Sequence, residues 1–139
     1  MNFGKSLFLP ILLSLFIVSN AFADNFYWVG NSGNWNDPIH WSNTSGGIGG
    51  AGIPSMNDDV IFNTKSFTQF KQTVVISNNI SLNNLIITEN YLDFTIKSLS
   101  TTKIDIYGNV DVRANFTNEI ESSIYFKSSQ NIDHSIYFG

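Results

Sequence analysis

Residues 26–42 read FYWVGNSGNWNDPIHWS, and residues 58–62 read DDVIF after an intervening glycine-rich loop. The first stretch contains all three tryptophans of the 139-residue chain, Trp28, Trp35 and Trp41. Glycines and Pro38 interrupt any helical period of 3.6 residues there, so the three indole rings cannot share one helix face. The stretch therefore predicts β-rich structure built around aromatic anchors.

Beyond this stretch, short apolar runs predict β-strands that continue to the last residue. Apolar and polar residues alternate from Tyr91 to Lys97, which indicates a half-buried strand. The alternation from Lys103 to Arg113 predicts a second one, bent or bulged at Gly108. The only candidate for a helix is Thr64–Phe70. Three shorter strands, separated by Asn and Ser residues, are predicted at Val74–Ile76, Ile80–Leu82 and Leu85–Ile87.

Two all-β architectures fit strands of this kind. A right-handed parallel β-helix, which is a solenoid, stacks inward Ile, Val and Phe side chains coil upon coil and allows asparagine ladders at the turns. A β-sandwich is the alternative. The predicted strands are not joined by the Asn-Gly or Asp-Gly turns of antiparallel hairpins, which favours the solenoid.

The first 23 residues have the features of a secretory signal peptide. Lys5 precedes an uncharged apolar run from Leu7 to Val18, and Ala21 and Ala23 give the small-x-small pattern of a signal peptidase site. The run is shorter than the roughly 20 residues of a membrane-spanning helix, although an uncleaved anchor is the alternative. We expect export to the extracellular space or cell surface, without membrane insertion after cleavage. The expected segments are a signal peptide at 1–23, an aromatic, glycine-rich cap at 24–59 and β-helix coils at 60–139.

Composition excludes several classes of protein. The chain contains no cysteine, which excludes a lipoprotein, a disulfide scaffold and a thiolate metal site. Removal of residues 1–23 leaves 116 of the 139 residues, enough for one domain with a modest core. Lys5 is the only charged residue lost, so the net charge changes from −4 to −5. An acidic chain without a basic cluster is not expected to bind nucleic acid or anionic membranes.

The segments Asn25–Ser42, Gly46–Pro54 and Asn57–Asn63 together resemble the N-terminal region of large secreted bacterial surface proteins of the adhesin type. Those proteins open with W-x-G-x-x-G-x-W-x-D-x-x-x-W-S and P-x-x-x-D-D-V-I-F motifs and continue as a right-handed parallel β-helix. Residues 104–112 and 123–127 also look like coil strands of that family. The resemblance implies an extracellular structural or binding protein without catalysis or cofactor. Family members are longer, so we expect this chain to be the N-terminal part of a longer protein.

The three tryptophans of this motif have two interpretations. As a structural cap, Trp28, Trp35 and Trp41 would cover the open end of the first coil, with their indole N–H groups reaching loop carbonyls. As a binding platform, the same rings would stack against sugars and make the chain a carbohydrate-binding or carbohydrate-active module. The expected partners are therefore glycans or other surface proteins.

The remaining residues of the motif are turn formers. Gly30, Gly33 and the glycines from 46 to 52 would permit positive φ and tight turns around the rings. Pro54 and Asp58 would set the turn that leads into the first parallel strand. Asp58 and Asp59 also offer the hard oxygen ligands that Ca²⁺ prefers, but hydrogen bonding to the turn backbone is the simpler interpretation.

No reaction is indicated by the other ionisable residues. Paired carboxylates for glycoside cleavage could come from Asp105 and Asp111, but their strand mixes acidic and basic residues, which indicates a solvated face. His40 and His134 are the only histidines, and no acidic set accompanies them. The chain has no nucleophile elbow and no phosphate-binding loop followed by a helix. We therefore predict that it is not an enzyme.

The tetrapeptide Ser-Ile-Tyr-Phe occurs twice near the C-terminus, at Ser123–Phe126 and Ser135–Phe138. Ile136 and Phe138 are inward-type residues, and only Gly139 follows. A solenoid that ends on a strand leaves an unpaired edge and an uncovered core. We therefore expect either a truncated gene product or self-association through this C-terminal end.

Overall fold

The computed structural model describes residues 23–88, 93–127 and 136–138, and the architecture is all-β. A 3-10 helix at Pro38–His40 is the only helix in these ranges. The described residues contain no helix long and apolar enough to cross a membrane. Residues 1–22 of the predicted signal peptide, Leu92 and His134 lie outside the described residues. The strands are β1 (Asn25–Trp28), β2 (Gly33–Asn34), β3 (Trp41–Ser42), β4 (Asp59–Phe62), β5 (Gln72–Ile76), β6 (Ile80–Leu82), β7 (Leu85–Ile87), β8 (Phe94–Ser98), β9 (Lys103–Ile106), β10 (Val110–Val112), β11 (Thr117–Ile120), β12 (Ser123–Phe126) and β13 (Ile136–Phe138).

The strands form three sheets in which most neighbours are three strands apart in the chain. The six-stranded sheet has the order β13-β10-β7-β4-β1-β3, the four-stranded sheet β11-β8-β5-β2 and the three-stranded sheet β12-β9-β6. Nine of the ten strand pairings are parallel, and only β1 with β3 is antiparallel. Consecutive strands do not pair as hairpins in the described ranges, which is the pairing that the β-sandwich alternative needs.

The register of the parallel pairs lines up apolar residues from strand to strand. In the six-stranded sheet Phe62 is aligned with Ile87, and Ile87 with Val112. All three side chains are buried, while Ile61 and Ile86 on the alternate face are half-buried. The core therefore lies on one face of each sheet, as the period-two alternation of the sequence requires.

The aromatic N-terminal segment belongs to the same sheets as the later strands. Phe26 of β1 is aligned with Val60 of β4, and Gly33 of β2 with Val74 of β5. The predicted boundary between residues 59 and 60 falls at the start of β4. Residues 25–34 thus supply the first parallel strands, and β3 lies outside them at the edge of the six-stranded sheet.

Two of the local sequence predictions were wrong. The strand predicted from Lys103 to Arg113 is two strands in different sheets, because the chain turns a corner around Gly108. A Cβ atom at Gly108 would lie 2.2 Å from Asn84 Oδ1, so the corner packs closely on the preceding one. The candidate helix Thr64–Phe70 consists of turns and bends. Its first turn is held by Asn63, whose Oδ1 accepts from the Lys65 backbone N at 2.9 Å. The strands predicted at 74–76, 80–82 and 85–87 are confirmed as parts or all of β5, β6 and β7.

Polar side chains form ladders at the corners between sheets. Asn84 Nδ2 donates to Asp59 Oδ1 at 2.7 Å, and Asn84 Oδ1 accepts from the Asn109 backbone N at 2.7 Å. At another corner the Ser122 backbone N donates to Ser98 Oγ at 2.9 Å. The side chain of Asn84 therefore links three successive corners, at Asp59, Asn84 and Asn109, through hydrogen bonds that the sheets do not provide.

Candidate functional site

The three tryptophans pack against one another in the core. Trp28, Trp35 and Trp41 are 0%, 1% and 0% exposed. The Trp41 ring meets the Trp28 ring edge-on at 5.0 Å between centroids and the Trp35 ring at 4.8 Å. The Phe62 ring lies 6.0 to 6.3 Å from all three. This burial is what the cap interpretation requires, because a sugar ring would find no open indole face in this arrangement.

The indole N–H groups do not all reach carbonyls. Trp41 Nε1 donates to the Trp35 carbonyl oxygen at 2.7 Å, and Trp28 Nε1 donates to that of Asn31 at 3.2 Å. Trp35 Nε1 is buried without an acceptor among the residues that the structure describes, so the expectation was wrong for this ring. Trp35 is packed against other rings, and a buried donor left unpaired costs about 1 to 3 kcal/mol.

The loop around the tryptophans is tightly packed against His40. Its imidazole stacks on the Trp28 ring at 4.7 Å with an angle of 3° between planes, and its Nδ1 lies 3.0 Å from the Val29 carbonyl oxygen. A Cβ atom at Gly33 would lie 2.0 Å from His40 Nε2, so only glycine fits there. Gly30 needs glycine for a different reason, a φ of 85°. His40 is therefore part of the packing around Trp28. Of the other glycines predicted to use positive φ, Gly46, Gly50 and Gly52 have it, whereas Gly33, Gly47 and Gly49 do not.

Asp58 ties the turn before β4 to the start of β1. Asp58 is 8% exposed and therefore buried. Oδ2 accepts from the Ser55 backbone N at 2.8 Å and from Ser55 Oγ at 2.7 Å, while Oδ1 accepts from the Asp24 backbone N at 3.3 Å. Pro54, the other predicted turn residue, is buried and precedes Ser55 in the chain. The carboxylate thus satisfies backbone donors of two separate segments.

The side chain of Asp59 accepts hydrogen bonds from the corner formed by Asn83 and Asn84. Its Oδ1 accepts from Asn83 Nδ2 at 2.8 Å, from Asn84 Nδ2 at 2.7 Å and from the Asn84 backbone N at 3.2 Å. Asp58 and Asp59 are neighbours in sequence, but their carboxylates serve different parts of the turn. Within the described ranges, no group of three or more His, Cys, Asp and Glu side chains is arranged to hold a metal ion.

We expect added calcium to leave the stability of the chain unchanged. Ca²⁺ takes 6 to 8 oxygen ligands, whereas both oxygens of Asp58 and one oxygen of Asp59 already accept protein hydrogen bonds. Thermal unfolding in millimolar calcium and in chelator should give Tm values that agree within about 1 °C. Calcium raises the stability of a folded protein only if it binds to the folded state. A rise of several degrees that Asp59→Asn abolishes would contradict this and identify a calcium site.

The other candidate carboxylates do not come together. Asp105 lies on β9 and Asp111 on β10, which belong to different sheets. Asp105 pairs with Lys127 at 3.9 Å, and Asp111 accepts from Arg113 Nε at 2.9 Å. The hydrogen bond that Arg113 donates to Asp111, together with the negative charge of that carboxylate, raises the pKa of Arg113. Each carboxylate therefore has a basic partner on the surface, and the two do not form the facing pair that glycoside cleavage needs.

Strands β11 and β12, which we call the exposed edge, bound the four-stranded and three-stranded sheets on the side away from the tryptophans. Ile124 continues the row of Ile104, and Phe126 continues the row of Ile106. The exposed fraction rises along these rows from 4% at Ile104 to 45% at Ile124 and from 2% at Ile106 to 39% at Phe126. Tyr125 between them is 43% exposed. Core-type side chains are thus left uncovered on this edge.

The sequence pattern predicted that Ile136 and Phe138 are the uncovered core residues, but the side chains of both lie outside the described part of the structure. For the first copy of the repeated tetrapeptide the structure shows that Ile124 and Phe126 are uncovered. Sequence reasoning missed them as site residues. The signal that could have found them is the repeat itself, since both copies alternate apolar residues in the same way.

The candidate residues therefore lie in two places, a buried tryptophan cluster and an exposed edge. The tryptophans of the first are buried, whereas the second includes Ile124 and Tyr125, which are 45% and 43% exposed. Comparison of the chain with family models, with curated proteins and with solved structures found no match. The resemblance of residues 26–63 to adhesin-type surface proteins therefore stays a prediction.

Proposed function

We propose that the chain folds as a right-handed parallel β-helix closed at its N-terminal end by the tryptophan cluster. Each sheet receives a strand in turn as the chain advances, and nine of the ten pairings are parallel, which supports this arrangement. The handedness follows from the strong right-handed preference of crossovers between parallel strands in one sheet. The corner ladder through Asn84 supports it as well, because such ladders join equivalent turns of stacked coils.

The function that we propose is that of a secreted, adhesin-like protein of the cell surface or extracellular space, with a structural and binding role and no catalysis. The observation that carries this proposal is the exposed edge, where the row of inward side chains from Ile104 continues onto Ile124, which is 45% exposed. An exposed inward row on the last described strand of a sheet is a surface for adding another strand. Asp58 and Asp59 accept hydrogen bonds at the turn before β4, and Asp105 pairs with Lys127, which supports binding over chemistry.

The partner that we propose for the exposed edge is a second copy of this chain. Strand β12 carries Ser-Ile-Tyr-Phe, with none of the charged or proline residues that usually protect an edge. At the opposite end no inward row continues onto an exposed strand in the described ranges, because β3 lies antiparallel outside β1 and the tryptophans are buried there. Two exposed edges would therefore meet each other around a two-fold axis, with the same residues contributed by both copies.

The secretion part of the proposal is tested by expressing the full-length chain in a bacterial host and locating the product. We expect an exported protein whose N-terminus is Asp24, since Ala21 and Ala23 provide the small residues for cleavage. The variant Ala23→Arg, which places a large cation at the cleavage position, should block processing. Retention of the intact 139-residue chain in the cytoplasm would contradict the proposal.

The same exported protein is used to distinguish a carbohydrate-binding module from a structural protein. The exported chain and its Trp35→Phe variant are applied to a glycan array. Trp35 makes no hydrogen bond through its Nε1, so this variant preserves the packing of the cluster better than alanine would. Glycan binding that is lost in the folded variant would favour the carbohydrate module over the structural one.

A further inference from the structure

We propose that Asp58 is the receptor for the amino terminus that signal-peptide removal creates at Asp24. Processing would then add an ion pair that fastens the start of β1 to the turn before β4. This inference rests on the proposed export of the chain. It assigns to Asp58 a task beyond shaping the turn, namely recognition of the chain's own α-ammonium group.

The position of Asp24 is fixed on both sides. Its backbone N lies 3.3 Å from Asp58 Oδ1, and its carbonyl oxygen accepts from the Asp59 backbone N at 2.9 Å. Asn25, the next residue, is aligned with Asp59 in the parallel pairing of β1 and β4. The atom that would carry the new charge is therefore held beside the carboxylate by the sheet itself.

The environment of Asp58 favours a charged donor over a neutral one. The residue is 8% exposed, and its Oδ2 already accepts two hydrogen bonds from Ser55. A carboxylate removed from water in this way is stabilised most by a cation that also donates a hydrogen bond. The side chain of Asp24 itself is on an exposed residue and adds further negative charge near the same nitrogen.

Cleavage changes the chemistry of this contact without moving its atoms. In the uncleaved chain the Asp24 nitrogen is a peptide amide that offers one neutral N–H. Hydrolysis of the Ala23–Asp24 bond adds the hydroxyl of water to the Ala23 carbonyl carbon and a proton to the Asp24 nitrogen. The released amine takes a second proton from solvent, because the pKa of an α-amino group is ordinarily about 7.7 to 8.0. The 3.3 Å amide contact thus becomes an ammonium–carboxylate pair.

A comparison of free and blocked amino termini tests this inference. The mature chain, residues 24–139, is prepared with a free and with an acetylated Asp24 amino group, since acetylation keeps one N–H and removes the charge. We expect acetylation to lower Tm by about 3 to 6 °C. In Asp58→Asn the same modification should change Tm by less than about 1 °C. In the matched control Asp59→Asn, which leaves the Asp58 carboxylate intact, the full effect of acetylation should remain.

Equal Tm values for the free and acetylated chains, or an equal loss in Asp58→Asn, would overturn the inference. A second variant avoids any folding defect of Asp58→Asn. A mature chain that begins one residue earlier, at Ala23, keeps every side chain but moves the ammonium away from Asp58, and we expect it to lose stability like the acetylated chain. Unchanged stability of that chain would count against the inference.

The failure of this inference differs from failure of the proposed function. If the product is exported with an N-terminus other than Asp24, secretion stands and the role of Asp58 falls. If the chain is not exported, the proposed function falls, and a normal effect of acetylation on residues 24–139 would still support Asp58 as an acceptor of this amino group.

Discussion

Trp41→Ala is expected to lower the free energy of unfolding by about 3 to 5 kcal/mol, the range for removing a large aromatic ring from a core. The ring is fully buried and lies within 6.5 Å of the rings of Phe26, Trp28 and Trp35. Its Nε1 donates to the Trp35 carbonyl oxygen, so the variant leaves both a cavity and an unpaired acceptor. Domains of this size have total stabilities of about 5 to 15 kcal/mol, so the variant should lose at least about a fifth of the stability of the chain. Urea unfolding followed by circular dichroism measures the loss.

Phenylalanine variants separate the hydrogen bond from the packing. Trp41→Phe removes a paired N–H, whereas Trp35→Phe removes an N–H that has no acceptor in the described structure. We expect Trp41→Phe to be the more destabilising of the two by about 1 kcal/mol. Ile48→Ala is the surface control, because Ile48 is 95% exposed and its truncation should change stability by no more than about 0.5 kcal/mol. A loss below about 1 kcal/mol for Trp41→Ala would contradict the cap interpretation.

The mature chain is expected to dimerise, and Ile124→Lys is expected to raise the dimer dissociation constant by about 100-fold or more, equivalent to about 2.8 kcal/mol. Ile124 is 45% exposed although it continues the row of Ile104, which is 4% exposed. A lysine at this position would place an unpaired ammonium in the apolar contact between two copies. Sedimentation equilibrium over a range of protein concentrations gives the dissociation constant for both chains.

The control for this prediction is Ile48→Lys, which adds the same charge at a 95% exposed position of the glycine-rich loop. It should leave the dissociation constant within about twofold of the original, because a single substitution outside an interface has little effect on binding. A mature chain that remains monomeric at high concentration would contradict dimerisation. Assemblies that grow without limit would show a head-to-tail contact and would overturn the two-fold arrangement.

The strands were readable from the sequence because each places alternate residues in the core, but the corner at Gly108 was not. Ile106, Gly108 and Val110 continue the same alternation from one strand to the next. Every second residue therefore faces inward both before and after the corner. One bent strand and two strands in different sheets give the same pattern of apolar residues. The distinction lies in the close packing of Gly108 on Asn84, which is a contact between distant parts of the chain.

The candidate site was predictable to a similar extent. The burial of the tryptophans follows from large rings placed among turn-forming glycines, and the sequence contains both. The missing acceptor of Trp35 and the exposure of Ile124 did not follow. An indole N–H is visible in a sequence, but the carbonyl that it reaches is not. Similarly, Ile104 lies between Lys103 and Asp105 and Ile124 between Ser123 and Tyr125, and neither pair of neighbours shows what covers the isoleucine in space.

The pairing of each strand with neighbours three positions away has a consequence for how the molecule comes apart. Contacts are made mainly between adjacent strands of a sheet, so unfolding can proceed as a one-dimensional fraying process. Fraying starts where a strand has the fewest neighbours and the most exposed side chains, which is β12. The interlocked rings of Trp28, Trp35 and Trp41 hold the opposite end. An extracellular protease would accordingly trim the chain from β12 inward and leave the tryptophan end as its most durable fragment.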